Sequence, residues 1–188
     1  MGKVANISPL APTSYPQMPA LKGVRLGAVE AAIKYKGRLD LGAIIFDAPA
    51  TVAGVFTKSK CSSAPVDWCR KQLAKGGARA VVVNSGNSNA FTGKIGLETV
   101  KVSADAAKKA FGCKTHEVFL ASTGVIGEPL DASGFETHLT KLEKIARENE
   151  WENMARAIMT TDTYPKMSTR SFDVDGTTYH LNGIAKGA

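Results

Sequence analysis

The sequence predicts an α/β protein in which helices are layered against a sheet. In the middle of the chain, apolar strand patterns alternate with helix patterns, which is the order typical of α/β layering. The length of 188 residues, with 44% hydrophobic and 22% charged residues, is ordinary for a folded chain with a sizeable core. We expect one domain over residues 1–188, with an extended lead-in over the proline-rich residues 1–20.

Short apolar runs after the lead-in predict a small antiparallel meander, because Gly, Asp and Pro separate them. These runs cover residues 24–33, 41–46 and 52–57. Two further apolar strands are predicted between helices, at residues 78–83 and 117–121. At the end of the chain, residues 167–174 and 177–185 predict a hairpin that turns at Asp175-Gly176, a favoured two-residue turn.

Four helices are predicted from apolar spacing and from start and stop signals. The first begins near Ser63 and ends at Gly76, and the second stops at Gly112. The third opens with a capping box at residues 133–136, and the fourth covers residues 151–159. The expected buried residues of the last three helices are Leu97, Val100, Ala104, Ala107 and Phe111; Phe135, Leu139, Leu142 and Ile145 or Ala146; and Trp151, Met154, Ala155 and Ile158.

Charge and composition limit the class of function. The net charge of +7 predicts a surface that attracts anions, whether nucleic acid, phosphate or carboxylate. Aromatic residues make up only 7% of the chain, which is weak support for nucleic-acid binding. No apolar run approaches the length of a membrane span, and no secretory signal is present, so we expect a cytoplasmic protein with no membrane partner. Three cysteines without a CxxC pair favour free thiols, and three scattered histidines suggest no metal site.

Two segments that follow predicted strands are candidates for chemistry. Residues 84–90, Asn-Ser-Gly-Asn-Ser-Asn-Ala, form either an ordinary strand-to-helix loop or a ligand site at the carboxyl end of a strand. Residues 122–127, Ser-Thr-Gly-Val-Ile-Gly, form either a turn or a site where a threonine hydroxyl and a glycine amide together hold an oxyanion. Composition alone leaves both alternatives open.

Two further candidates lie near the end of the chain. Residues 160–163, Thr-Thr-Asp-Thr, either satisfy the backbone of a loop or bind a polar substrate. Lys186, flanked by Ala and Gly, is either a solvated surface lysine or the partner of a carboxylate. The histidines and cysteines assemble no nucleophilic triad with these segments.

Taken together, the segments NSGNSNA, STGVIG, AIMTTDTYPK and GIAKGA resemble, in order and spacing, the α chain of the ornithine acetyltransferase family, also called glutamate N-acetyltransferases of arginine biosynthesis. The resemblance covers nearly the whole chain, from residues 23–27 to the end. It implies an α/β layered sandwich that resembles the N-terminal-nucleophile hydrolases but has the connectivity of its own group.

The resemblance also implies a mechanism. The family's precursor cleaves itself before a threonine, and that threonine begins a β chain and is the nucleophile. Its free α-amine can act as the base for its own hydroxyl. The hydroxyl takes the acetyl group from N2-acetylornithine and passes it to glutamate in a ping-pong sequence, with acetyl-CoA left open as a second donor. The resemblance implies no cofactor and no metal. It implies an α2β2 or larger assembly.

Four residues of this sequence match the family's functional positions. Thr123 and Gly124 resemble the oxyanion-hole pair, and Thr160 and Lys186 resemble substrate-binding residues, with Thr161 leaving a one-residue ambiguity. The family continues with a short stretch before the cleaved bond, which is absent after position 188. We therefore expect the nucleophile in another polypeptide and no activity from this chain alone.

Three alternatives remain open at this point. A self-cleaving aminopeptidase or amidase of related fold would share the oxyanion hole but pass the acyl group to water. A basic nucleic-acid-binding domain would bind with a steep salt dependence. A purely structural subunit would tolerate changes at all four positions. The segments around Thr160 and Lys186 favour a transferase, because an acceptor amino acid needs its carboxylate held.

Overall fold

The computed structural model describes residues 7–187, and its elements alternate between strands and helices. They are β1 (Val24–Val29), β2 (Leu41–Thr51), α1 (Ala64–Leu73), β3 (Gly77–Asn87), α2 (Gly93–Phe111), β4 (Val118–Val125), α3 (Phe135–Ile145), α4 (Trp151–Ala157), β5 (Lys166–Val174) and β6 (Thr177–Ala185), with a 3₁₀ turn at Thr115–Glu117 before β4. Of the lead-in predicted over residues 1–20, residues 7–20 contain no helix or strand, and residues 1–6 lie outside the described residues.

A four-stranded mixed sheet forms the centre of the fold, in the order β1-β2-β3-β4. The first two neighbouring pairs are antiparallel, whereas β3 and β4 are parallel and are connected through α2. The remaining strands, β5 and β6, form a separate antiparallel hairpin. A parallel pair needs a crossover connection, and a helix is the usual one.

Helices cover both faces of the sheet. Ile45 and Val82 point to one face and pack in a cluster with Leu139 of α3 and with residues of α2. On the opposite face, Ile44 packs in a cluster with Met154 of α4 and with the base of the hairpin. Successive strand residues point to opposite faces, so one sheet supports two cores. The predicted α/β layering is confirmed.

Helix α1 lies along the outer edge of β4. The indole Nε1 of Trp68 donates to the carbonyl oxygen of Val118 at 2.9 Å. The Cys69 thiol donates to the carbonyl oxygen of Leu120 at 3.1 Å and accepts from the Leu120 N–H at 3.2 Å. Burial raises the pKa of the Cys69 thiol, which keeps it protonated and able to donate. Side chains of α1 thus satisfy backbone groups that an edge strand otherwise exposes.

The strand predictions are partly correct. The predicted strand at residues 52–57 is wrong, because both edges of β2 are already paired, to β1 and to β3. The first strand ends at Val29 rather than at residue 33, because the buried carboxylate of Asp40 accepts the N–H groups of Ala31 and Ile33 and holds them in a loop. The hairpin is confirmed, with both turn residues at positive φ, 48° for Asp175 and 76° for Gly176.

All four predicted helices are present, with corrections at their ends. The second stops at Gly112, in the left-handed conformation, as predicted, but Leu97 is half exposed. The predicted capping box at residues 133–136 is wrong, since Gly134 precedes the third helix and the Ser133 N–H donates to Asp131 instead. Ala146 rather than Ile145 is buried after that helix. Within residues 7–187, no helix combines the length and apolar character needed to cross a membrane.

Candidate active site

A cleft of about 460 Å³ opens at the carboxyl ends of β3 and β4. Its lining residues are Tyr35, Arg38, Gly86, Thr123, Gly124, Val125, Thr160, Thr161 and Lys186. All four residues singled out from the sequence, Thr123, Gly124, Thr160 and Lys186, are among them. The fold therefore brings together side chains from β4, from the segment after α4 and from the end of β6.

The two polar segments that follow predicted strands belong partly to the strands themselves. β3 continues to Asn87 and β4 continues to Val125, so the expectation of a loop or turn is wrong for residues 84–87 and 122–125. The parallel register places Ser85 beside Thr123. The candidate oxyanion residues consequently sit on a sheet, where hydrogen bonding to the neighbouring strand restrains their backbone.

Gly124 lies where two strands approach too closely for a side chain. Its φ is +134°, and a Cβ atom built on it would lie 2.3 Å from the carbonyl carbon of Gly86. Gly86 itself has a φ of +107°, and a Cβ there would lie 2.9 Å from Cβ of Lys34. A contact with backbone atoms at 2.3 Å cannot be relieved by a rotamer change. Glycine is therefore required at position 124 for the observed pairing.

The Thr123 hydroxyl is available to a ligand. Neighbouring residues of a strand point in opposite directions. The Ser122 hydroxyl donates to Oδ1 of Asn84 at 2.5 Å, away from the cleft, while Thr123 is half-buried and lines it. Within residues 7–187, no hydrogen bond involves the Thr123 hydroxyl. A hydroxyl and a glycine N–H on adjacent residues can converge on one developing negative charge.

The asparagines of residues 84–90 stabilise the strand ends that form the cleft. Asn84 Nδ2 donates to the carbonyl oxygen of Asn87 at 2.8 Å, and Asn87 Nδ2 donates to that of Glu128 at 3.0 Å. The N–H of Asn89 donates to Oδ1 of Asn87 at 2.7 Å. These three asparagines are buried, and their amides are occupied within the protein. They stabilise the ends of β3 and β4, whereas Gly86 of this segment lines the cleft.

Asp162 connects the segments that carry Thr160 and Lys186. Its side chain is 1% exposed. Oδ1 accepts Lys166 Nζ at 2.9 Å and the Gly187 N–H at 2.8 Å, while Oδ2 accepts the Thr160 N–H at 3.2 Å. Burial raises the pKa of Asp162, but these hydrogen bonds outweigh it and hold the pKa well below its usual range. The expectation that an acid in this segment satisfies loop backbone is thus confirmed.

Lys186 is the second cation near Asp162. Its Nζ lies 3.7 Å from Oδ2, which is an ion-pair distance but too long for a direct hydrogen bond. The Lys186 side chain is 29% exposed and lines the cleft. Its ammonium donors therefore face a cavity in which a ligand carboxylate could accept them.

Two residues that line the cleft, Tyr35 and Arg38, are not predicted from the sequence. The Arg38 guanidinium donates to the Ser85 hydroxyl at 3.0 Å and to the carbonyl oxygen of Met159, directly before Thr160. A signal was available, because residues 34–38 place three basic residues within five positions and interleave Tyr35 with two lysines. The carboxylate of Asp40 shapes this loop, because it accepts the N–H groups of Ala31 and Ile33, which directly precede it.

The fold is thus a layered α/β sheet with a cleft at the ends of β3 and β4, where a threonine hydroxyl, a glycine N–H and a lysine side chain from the end of the β5–β6 hairpin come together. The ArgJ family model matches residues 25–188, and the chain belongs to the ArgJ family. It is 60% identical, over 97% of its length and 44% of the relative's, to the arginine biosynthesis bifunctional protein ArgJ of Rhizobium meliloti (strain 1021). The corresponding protein of Agrobacterium fabrum is 59% identical over the same shares.

Two solved structures are similar in fold. The crystal structure of the arginine biosynthesis bifunctional protein ArgJ from Bacillus halodurans is 33% identical, with a TM-score of 0.82 over 89% of this chain and 87% of that one. Ornithine acetyltransferase from Mycobacterium tuberculosis, complexed with ornithine, is 32% identical, with a TM-score of 0.79 over 89% of each chain. These similarities confirm the fold expected from the resemblance. The chain spans less than half the length of the curated relatives it matches.

Proposed function

We propose that this chain is the α portion of an acetyltransferase of arginine biosynthesis, which moves the acetyl group of N2-acetylornithine to glutamate. The observation that carries the proposal is the convergence of Thr123, Gly124, Thr160 and Lys186 on one cleft. These residues come from segments that are far apart in the chain. Their meeting is what a shared catalytic role requires.

The nucleophile in this proposal is the N-terminal threonine of a second polypeptide cut from the same precursor. Its hydroxyl oxygen attacks the acetyl carbonyl carbon, while its own α-amine accepts the hydroxyl proton. The Thr123 hydroxyl and the Gly124 N–H stabilise the negative charge on the carbonyl oxygen. The carbon–nitrogen bond then breaks, and ornithine leaves with the proton. The glutamate amine attacks the acetyl ester, the ester carbon–oxygen bond breaks, and N-acetylglutamate leaves while the amine's proton passes through the α-amine to the threonine oxygen.

Lys186 and Thr160 bind what the two amino acids have in common. N2-acetylornithine and glutamate share an α-carboxylate, and a lysine ammonium is a suitable partner for it. The Lys186 ammonium lines the cleft without a direct hydrogen bond to Asp162, which supports this role. Thr160 contributes a hydroxyl to the same carboxylate, and Thr161, which also lines the cleft, is the competing candidate.

Chain lengths among the relatives support a processed precursor. The solved relatives consist of chains about as long as this one, because the match covers nearly nine-tenths of both. The curated relatives are more than twice as long. Self-cleavage into two chains, their association into an α2β2 or larger assembly in the cytoplasm, and acetyl-CoA as a second donor complete the proposal. The curated relatives are bifunctional proteins, and a second acetyl donor would give this protein a second activity.

The test begins with expression of the full-length gene. Intact mass and N-terminal sequencing of the purified protein should give two polypeptides, the second starting with threonine. The protein should then transfer labelled acetyl from N2-acetylornithine to glutamate, and double-reciprocal plots at several glutamate concentrations should be parallel. Acetyl-CoA is tested as donor in the same assay. A single uncut polypeptide, or release of acetate without transfer to glutamate, would contradict the proposal.

A further inference from the structure

Asp162 does not line the cleft, but it accepts a hydrogen bond from Thr160, which does. Its buried carboxylate accepts the N–H of Thr160 on one side and the N–H of Gly187 on the other. Thr160 and Lys186 both line the cleft. One carboxylate therefore ties together both proposed substrate-binding positions.

The two ammonium groups at Asp162 are bound unequally. Lys166 Nζ donates to Oδ1 at 2.9 Å, and it also lies 4.4 Å from the centre of the Tyr164 ring, a cation–π contact. Lys186 Nζ is 3.7 Å from Oδ2. Lys166 is consequently the structural partner of Asp162, whereas Lys186 is attracted to Asp162 but keeps its hydrogen-bond donors for another acceptor.

We infer that Asp162 is a positioning residue for substrate binding: it holds Lys186 Nζ in the cleft and fixes the Thr160 backbone, without touching the substrate itself. This inference rests on the proposed function. A lysine has several freely rotating bonds, so an ammonium held in place beforehand binds a carboxylate with less loss of conformational freedom than a mobile one. Lys166 takes the direct hydrogen bond and thereby prevents Lys186 from forming a closed ion pair that would compete with substrate.

The inference predicts coupling between Asp162 and Lys186 in substrate binding. In the processed enzyme from the full-length gene, Asp162→Asn should raise KM for N2-acetylornithine and for glutamate by about tenfold, a coupling within the range for residues in contact. Lys186→Met should also raise both KM values. The KM of the double variant should fall short of the product of the two single effects, because Asp162 acts mainly through Lys186 and only in part through the Thr160 backbone. A residue that only stabilised the fold would lower the amount of folded enzyme and leave KM unchanged, and two independent effects on binding would multiply.

A second variant tests the inference should Asp162→Asn fail to fold. Lys166→Met removes the structural partner and leaves Lys186 close to the carboxylate. Lys186 should then bind Asp162 directly, so KM for both amino acids should rise by about tenfold while kcat stays within about threefold. Unchanged KM values in Lys166→Met would overturn the inference.

Matched controls separate this effect from a general change in charge. Asp47→Asn removes one negative charge from an exposed carboxylate that pairs with Arg25 at 2.9 Å, and Lys109→Met removes one positive charge from an exposed ion pair with Glu136. Neither residue lines the cleft, so both controls should leave KM unchanged.

The outcomes distinguish the inference from the function on which it rests. If the unmodified enzyme transfers no acetyl group, both the proposed function and the role of Asp162 are refuted. If it transfers acetyl but the KM effects of Asp162→Asn and Lys186→Met multiply in the double variant, only the positioning role is refuted. A KM for the double variant clearly below the product of the two single effects supports it.

Discussion

Gly124 should be the least replaceable glycine of the cleft. Gly124→Ala places a methyl group 2.3 Å from the carbonyl carbon of Gly86, at a φ of +134°. Gly127→Ala is a matched control, because Gly127 also has a positive φ, +80°, yet a Cβ there meets nothing within 4 Å. The difference between the two variants measures the close approach of β3 and β4 rather than backbone strain alone.

The magnitude follows from two contributions. An L-residue at an unfavourable positive φ costs about 1–3 kcal/mol, and both variants carry this cost. Overpacking between strands adds about 1–3 kcal/mol, and only Gly124→Ala carries it. With an m value of about 2 kcal/mol per molar urea, the extra contribution lowers the urea midpoint by about 0.5–1.5 M.

The assay is urea unfolding of the purified protein, followed by circular dichroism, for the wild type and both variants. Gly124→Ala should also lose acetyl transfer, because the strand must move to accommodate the methyl group. A midpoint for Gly124→Ala within about 0.3 M of that for Gly127→Ala would refute the reasoning, since it corresponds to less than about 1 kcal/mol of strand contact.

Other expected outcomes concern the cleft and its support. Thr123→Ala should lower kcat by about 10²–10³-fold, as removal of an oxyanion donor does, while Thr123→Ser retains most of kcat; a loss below about threefold in Thr123→Ala would exclude the role. Lys186→Ala should mainly raise KM in steady-state assays, and a change confined to kcat would point to a different task. Asp40→Ala leaves two loop N–H groups without their carboxylate and should lower the free energy of unfolding by about 2–6 kcal/mol in urea titrations; a loss below about 1 kcal/mol would contradict this. The pKa of Asp162 is depressed from its ordinary value of 3.8, so its ionised form stabilises the fold above that pH and the benefit is lost as pH falls through the lower folded-state pKa. The difference in urea midpoint between wild type and Asp162→Asn should therefore be constant from about pH 7 to pH 5 and shrink below about pH 4; a difference that shrinks already between pH 7 and pH 5 would contradict the assignment.

Local signals predicted the helices well and the strand ends poorly. The stop at Gly112 and the turn at Asp175-Gly176 depend on backbone conformations that neighbouring residues specify. The ends of β3 and β4 depend on pairing between Ser85 and Thr123, residues distant in the chain, and this pairing overrides the turn preference of Asn, Ser and Gly. Strand ends rich in such residues are therefore difficult to recognise from sequence.

The candidate site could likewise be predicted only in part from the sequence. Thr123, Gly124, Thr160 and Lys186 were predicted because their segments resemble a family, not because their spacing reveals a cleft. The hydrogen bond from Arg38 to the carbonyl oxygen of Met159 connects residues 121 positions apart, and no local sequence pattern predicts such a contact. Contacts of this kind become visible only when the chain is folded.

Because α1 covers the outer edge of β4, this stretch of the sheet should resist aggregation. An exposed edge strand can recruit strands from other copies and start aggregation. Trp68 and Cys69 occupy the backbone groups of Val118 and Leu120 that such recruitment would use. The protein is thus protected along this stretch of β4, and replacement of both side chains by alanine should increase its tendency to precipitate.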